Sequence, residues 1–455
     1  MRKESQSVID DVISKINPVP ISLTHIELAT KISERCTGIR SPELVDAYMD
    51  PRKFSVGEFC PKFKKKVKDE SVYILLMPGP YTKPESIIYK ACITARAAKE
   101  AGAKKVVLLS TDLPHARQDR GSEEDAKAEG EPNTVRLHAD TFKAAGIDQV
   151  ITTHIHSPRI AAFFAQSYGL IPEEMKFDSN NKEIPFDANN KEIQKIGESV
   201  IKSISPHAIL ADYILHQSSL IRNGYLADKG AKFVLKAMDK GNREFIDLLY
   251  AALFLPNVSR VYCNKARTAK NDPKKVEVSI DSVSDNFTTL DGKLESFDDD
   301  GLDTGGTMFK AVNWSNAGNL CSETGKSFGI PEARFIYFTH AWLGGDAHQG
   351  IQERIFKNLP ATEFVTTNTR PYVGDAQYYR FKMKSTILRL AGLWGDAIIA
   401  NELGQDIEQR YCGFESEEQQ HQFMKRLYVL KRHSSHFLNE GIEPRKRKLD
   451  FYLRE

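Results

Sequence analysis

Short apolar runs rich in β-branched residues alternate along the chain with longer stretches of helical periodicity. Residues 71–77 (SVYILLM) read as a buried strand ended by Gly79-Pro80, and 87–101 as the helix that follows. Residues 105–109 (KVVLL) and 149–153 (QVITT) are two more strands, and 134–145 is a helix closed by Gly146. Apolar strands separated by helices predict a parallel sheet of the α/β class. The pattern returns with a helix over 208–221 and strands at 334–338 and 363–367 that flank an amphipathic stretch, 349–358. The predicted fold is therefore two similar α/β lobes with parallel central sheets, plus a helical C-terminal tail. The expected division is an N-terminal extension (1–20), a first lobe (21–170), a linker or excursion (171–202), a second lobe (203–411) and a tail (412–455). Residues 121–131 and 282–292 read as a charged loop and a hairpin tip.

Composition narrows the class. Of 455 residues 41% are hydrophobic, enough for sizeable cores, which excludes wholesale disorder. Lys and Arg total 63 against 61 Asp and Glu, a formal charge of +2, so no bulk field calls for a nucleic-acid partner. No apolar run reaches the roughly 18–20 residues of a membrane span, and the first twenty residues lack a signal-peptide core. The six cysteines are scattered with no Cys-x-x-Cys pair, which predicts reduced thiols, no disulfide framework or structural zinc, and a cytoplasmic location.

The most distinctive stretch is 297–307, FDDDGLDTGGT. Its glycines permit close backbone approach, and free N–H groups at a helix start with two hydroxyls form a phosphate cradle. Acidic residues just upstream suit ribose hydroxyls or a divalent cation, so acid followed by cradle fits a sugar phosphate. A helix-capping turn is the plainer reading, but capping needs one aspartate. Arg117, Gln118 and Asp119 sit in a polar loop after a strand, where an arginine can clamp a phosphate. His154 and His156, two apart at a strand end, point to one face, either as a cation site or as satisfied sheet-edge histidines. Lys265 and Arg267 alternate in a basic stretch that on composition alone reads as a surface loop.

The segment DDGLDTGGT resembles the ribose-phosphate loop of type I phosphoribosyltransferases, and the remainder resembles the phosphoribosyl pyrophosphate (PRPP) synthetase, or ribose-phosphate pyrophosphokinase, family. The similar segments are 54–58 (FSVGE), 113–120 (LPHARQDR), 151–164 (ITTHIHSPRIAAFF), 262–276 (YCNKARTAKNDPKKV), 338–346 (FTHAWLGGD) and 364–371 (FVTTNTRP). The resemblance implies an Mg²⁺-dependent pyrophosphokinase that uses ATP and ribose 5-phosphate. Lys265, Arg267 and His156 would be catalytic. Arg117, Gln118, Asp119 and His156, with Phe54 and Glu58 from a neighbouring subunit of a homodimer or higher homo-oligomer, would bind ATP. Asp299, Asp300, Asp303, Thr304, Gly305, Gly306 and Thr307 would hold the ribose phosphate. His156, His154 and Asp228 would hold metal, although His154 stands where the family usually has Asp. Residues 239–260 and 121–131 read as insertions near the cleft, which would suit a larger acceptor such as ADP-ribose. A non-catalytic regulatory homologue is the alternative of a different class.

Overall fold

The computed structural model describes residues 18–22, 26–37, 49–50, 52–64, 67–79, 83–121, 129–178, 182–267, 276–320, 326–343, 361–371 and 385–428. The expected helix 349–358 and most of the loop 121–131 lie outside them.

The first lobe is a five-stranded parallel sheet in spatial order β1 (Pro18–Ser22), β2 (Ser71–Leu76), β3 (Lys105–Ser110), β4 (Gln149–Thr153) and β5 (Ile201–Ile204). Past their first residues β2 and β3 are buried throughout, as strands with helices on both faces must be. The connecting helices are α1 (Ile26–Thr37), α2 (Pro84–Glu100), α3 (Thr134–Ala145), α4 (Arg159–Tyr168) and α5 (Lys191–Gly197). Asn133 caps α3 by accepting from the Arg136 amide at 3.0 Å, and Gly146 ends it with φ 89°.

Two expected boundaries move. Residues 171–202 are not a linker, because α5 and β5 complete the first sheet; Gly197 lies so close to the Ala161 carbonyl that no Cβ fits there. Residues 239–260 are not an insertion either. They hold α7 (Arg243–Leu253), the crossover between parallel strands β6 (Phe233–Ala237) and β7 (Ser259–Arg267).

The second lobe is a seven-stranded sheet ordered β8 (Val276–Val283), β7, β6, β9 (Leu294–Leu302), β10 (Ala333–Ala341), β11 (Glu363–Thr367) and β12 (Ser385–Leu388). Only the β7/β8 pair is antiparallel. Three further helices, α6 (His207–His216), α8 (Gly306–Asn316) and α9 (Ala391–Glu402), serve this lobe and the junction. One apolar core runs through both lobes. Across the junction the Trp394 indole donates to Thr153 at 2.9 Å, and Tyr73 donates to Glu402 at 2.6 Å. Of the expected tail, α10 (Glu417–Tyr428) docks on the body, burying Met424 and Leu427. Among the described residues no helix is long and apolar enough to cross a membrane.

Burial beside the loop that follows β3 makes a pH-dependent element. His138 stacks on Phe142 with ring centroids 5.7 Å apart and meets His115 at 3.0 Å, which in turn faces Glu85. Burial, then the neighbouring His115, pushes its imidazole down to about 4 from an ordinary 6.5. The folded value lies below the unfolded one, so this contribution is full above pH 6.5 and is lost as pH falls toward 4. Between pH 7 and 5, wild type is expected to lose about 2 kcal/mol more stability than His138→Gln in urea titrations. Equal losses would refute the assignment.

Candidate active site

Strand β9 carries the acidic run, and its four aspartates divide. Asp298 points into the core, where it accepts from the Ser296 hydroxyl while its Oδ1 has no hydrogen-bond partner among the described residues. Burial pushes its carboxyl up to about 7. Asp299, Asp300 and Asp303 emerge past the buried stretch, at the C-terminal end of the sheet, where open α/β sheets gather ligands. Gly301 admits no side chain, because the Trp342 ring occupies the place of its Cβ. Gly305, at φ 74°, turns the chain directly into α8. Thr304, Gly305 and Gly306 thus lead from strand to helix start, the geometry of a phosphate cradle. Thr307 lies in the first turn of α8, and its side chain is outside the described atoms.

Two polar side chains of the first lobe reach this loop. His156 Nδ1 lies 2.5 Å from Asp300 Oδ2. Burial opposes charge on both partners, but the bond between them prevails, so the imidazole is held above its ordinary range and the Asp300 carboxyl well below its own. Arg117 donates to Asp303 Oδ2 at 2.9 Å and lies over Trp342, 5.0 Å from the ring centroid. Trp342 is fixed in turn by donating to Asp112 at 2.8 Å, and Arg370 donates to the same carboxylate at 2.5 Å. Burial works against charge on Asp112, but Arg370, His340 and Trp342 hold its carboxyl below the usual range.

His154 does not share the face of His156. Strand β4 stops at Thr153, and His154 takes φ 41°, which breaks the alternation that the i, i+2 spacing assumed. Its Nδ1 lies 2.5 Å from the Thr339 hydroxyl, its ring stacks on Phe245 at 4.7 Å, and burial pushes it down to about 4. It is packed as a support of the cleft floor.

Asp228 does not reach the loop either. It precedes β6, at the opposite end of that strand from the acidic loop, with its carbonyl accepting from Asn257 at 2.8 Å. The chain contains Asp-Lys-Gly twice, at 228–230 and 239–241. Only the second follows β6. Asp239 caps the next turn, accepting from the Asn242 amide at 3.2 Å, and Asn242 donates to the Asp298 carbonyl. Since Ala237 pairs with Asp298, Asp239 is the carboxylate that the topology brings beside the acidic loop. A strand immediately before the triplet was the signal that separates the two copies.

Asp119 is buried and turned toward Arg159, 3.6 Å away, while Gln118 is exposed and accepts from the Thr134 hydroxyl at 2.6 Å. Lys265 and Arg267 lie near the end of β7, opposite Val278 and Val276; their side chains and residues 268–275 are outside the described atoms. Phe54 and Glu58 close a small exposed turn through the Phe54 amide to the Glu58 carbonyl at 2.9 Å. They do not join the cleft of their own chain through any described contact.

Known proteins resemble this chain in sequence and fold. A family model for the N-terminal domain of ribose phosphate pyrophosphokinase matches residues 22–146. A ribose-phosphate pyrophosphokinase of Clostridium acetobutylicum is 24% identical over 349 residues, 76% of this chain and 83% of that protein. Residues 22–146 thus match the N-terminal domain of the ribose-phosphate pyrophosphokinase family. Ribose-phosphate pyrophosphokinase 1 of Candida albicans is 32% identical over 142 residues, so the match spans 31% of this chain and only 40% of that relative. The crystal structure of phosphoribosylpyrophosphate synthetase from Mycobacterium smegmatis has the same fold, with a TM-score of 0.58 at 21% identity over 85% of this chain and 99% of that one. The family match runs from the end of β1 through α3, which includes Arg117, Gln118 and Asp119.

Proposed function

We propose that the chain transfers the β,γ-diphosphate of ATP to the anomeric hydroxyl of ribose 5-phosphate, releasing AMP and forming PRPP. The observation that carries this reading is the pairing across the lobes: His156 with Asp300, and Arg117 with Asp303. A nucleotide-side histidine and arginine thereby meet a sugar-phosphate loop within one cleft.

In this reading the start of α8, with Thr304, Gly305, Gly306 and Thr307, receives the 5-phosphate, and Asp299, Asp300 and Asp303 take the ribose hydroxyls. Arg117 and Gln118 bind ATP, and Asp119 steadies their loop through Arg159. Phe54 and Glu58, exposed on their own chain, serve the ATP site of a neighbouring copy. The anomeric oxygen attacks the β-phosphorus in line, its proton leaves, and the bond to the α-phosphoryl oxygen breaks to free AMP. Lys265 and Arg267 stabilise charge on the transferred group, and positioning supplies most of the remaining rate. In this reading Mg²⁺ would be held by Asp299 and Asp300, with His156 beside Asp300 and Asp239 on the neighbouring strand end, oxygen donors of the kind a hard cation prefers. The ion supplies charge neutralisation on the phosphates. His154 and Asp228 have no part in that set. With 239–260 an ordinary crossover, one support for a larger acceptor falls away, and ribose 5-phosphate is the acceptor favoured.

The test is to incubate the full chain with ATP, Mg²⁺ and ribose 5-phosphate, and in parallel with ADP-ribose, and to follow AMP and PRPP. AMP equal to PRPP with ribose 5-phosphate is expected. Lys265→Ala should lower turnover about 10²-fold with ATP binding unchanged. AMP with ADP-ribose alone would move the acceptor. No AMP with either would replace the enzyme by a nucleotide-binding regulator.

A further inference from the structure

Away from the cleft, two helices each present a carboxylate and a histidine one turn apart, and the pairs face each other. On α6 these are Asp212 and His216, and on α10 they are Glu417 and His421; residues at i and i+4 lie on one helix face. His421 Nδ1 lies 2.5 Å from Asp212 Oδ1. His216 Nε2 lies 3.8 Å from the same oxygen and 3.6 Å from Glu417 Oε1. The two imidazole centroids are 3.8 Å apart. One donor atom each from Asp212, His216 and His421 falls within a 4.8 Å span. Donors about 2.0–2.1 Å from a tetrahedral ion sit roughly 3.3 Å from one another, so these separations need only small side-chain rotations to close on one.

We propose that Asp212, His216 and His421 bind a zinc-class divalent ion, with Glu417 as the fourth ligand. Two imidazoles and carboxylate oxygens suit Zn²⁺ and disfavour Mg²⁺, which asks for oxygen donors. Thiols take no part, so the scattered cysteines do not bear on it. Asp212 is buried and anchors the site, while His216 keeps a quarter of its side chain exposed, which leaves the ion a route in from solvent. The metal would join each imidazole through a ring nitrogen, in place of the present contact between His421 and Asp212.

Such an ion would fasten α10 to the body. Besides its apolar face and these contacts, α10 is tied by Gln420, which donates to the Ala252 carbonyl at the end of α7 at 2.8 Å. Helix α7 also carries Phe245, the ring beneath His154, and α6 begins at His207, roughly 13 Å along the helix from His216. The clasp therefore braces the helices that support the cleft without entering it.

The experiment uses tag-free full chain, stripped with chelator and titrated with Zn²⁺ against a chromophoric competitor, with Co²⁺ as a spectroscopic probe. One Zn²⁺ per chain, tetrahedral Co²⁺ bands and a raised melting temperature are expected. His216→Gln, at a partly exposed helix end, and His421→Gln should each lose the stoichiometric site and the melting response, while Asp300→Asn keeps both. No zinc uptake by wild type, or uptake unchanged in both histidine variants, overturns the proposal. These readouts do not involve turnover, so they stand or fall independently of the proposed reaction.

Discussion

Asp300→Asn is expected to lower kcat/KM for ribose 5-phosphate about 10³-fold, because one carboxylate serves two ends of the site at once. It accepts from His156 across the lobes, and it faces the position proposed for the sugar hydroxyls and the cation. An amide keeps the shape but removes the charge that raises the imidazole above its ordinary range and the oxygen that a hard cation prefers. The side chain is mostly buried and paired with His156, so the melting temperature should also fall, and the kinetics are compared at a temperature where wild type and variant are both folded. Asp298→Asn is the matched comparison two residues away. Its carboxyl is already pushed up to about 7 by burial, so the amide resembles a form it populates at neutral pH, and activity should remain within a few-fold of wild type. Steady-state kinetics of AMP release on both variants decide the matter. A loss below tenfold for Asp300→Asn, or equal losses for the two, would remove Asp300 from its proposed role.

The contrast between these aspartates also marks what the sequence could and could not reveal. Strand and helix periods carried the first lobe because residues 71–77, 105–109 and 149–153 are continuous apolar runs with regular helices between them. Glycine spacing carried the turn from β9 into α8, because Gly305 can adopt φ 74° and few other residues can. What failed were decisions that depend on which end of a strand a residue occupies. Two Asp-Lys-Gly triplets differ only in lying before or after β6, and choosing the first made the α7 crossover resemble an insertion. The two histidines failed for a related reason, since the i, i+2 rule holds only while the strand continues, and His154 already lies outside it. Trp342 and Arg370 lie in segments that resemble the family, but nothing local to them or to Asp112 signals that the three meet. They form a set only because strand ends from both lobes converge on Arg117.

Strand β9 reads poorly as a central strand, and the second large effect follows from the reason. Glu295 is fully buried there with Lys236 Nζ at 2.5 Å on one oxygen and Arg334 Nε at 2.8 Å on the other. Lys236 is also fully buried, bonded to Asn319 at 2.8 Å and 4.9 Å from the centroid of Phe297. Arg334 reaches Asn316 at 2.6 Å, and Ser315 donates to Glu295, so both cations gather at the C-terminal end of α8. Cations at that end complement the helix dipole, and the opposite end of α8 is the proposed phosphate cradle. Glu295 thus joins β6, β9 and β10 to the helix that must be aimed correctly. Removing it strands two buried cations, so Glu295→Gln should cost about 3–5 kcal/mol in urea unfolding with the slope unchanged. Lys236→Met should cost less, because Glu295 retains Arg334 and the new side chain fills similar apolar space. Were Lys236→Met the more damaging variant, the network would be organised around the lysine, and Glu295 would lose its place as the shared partner.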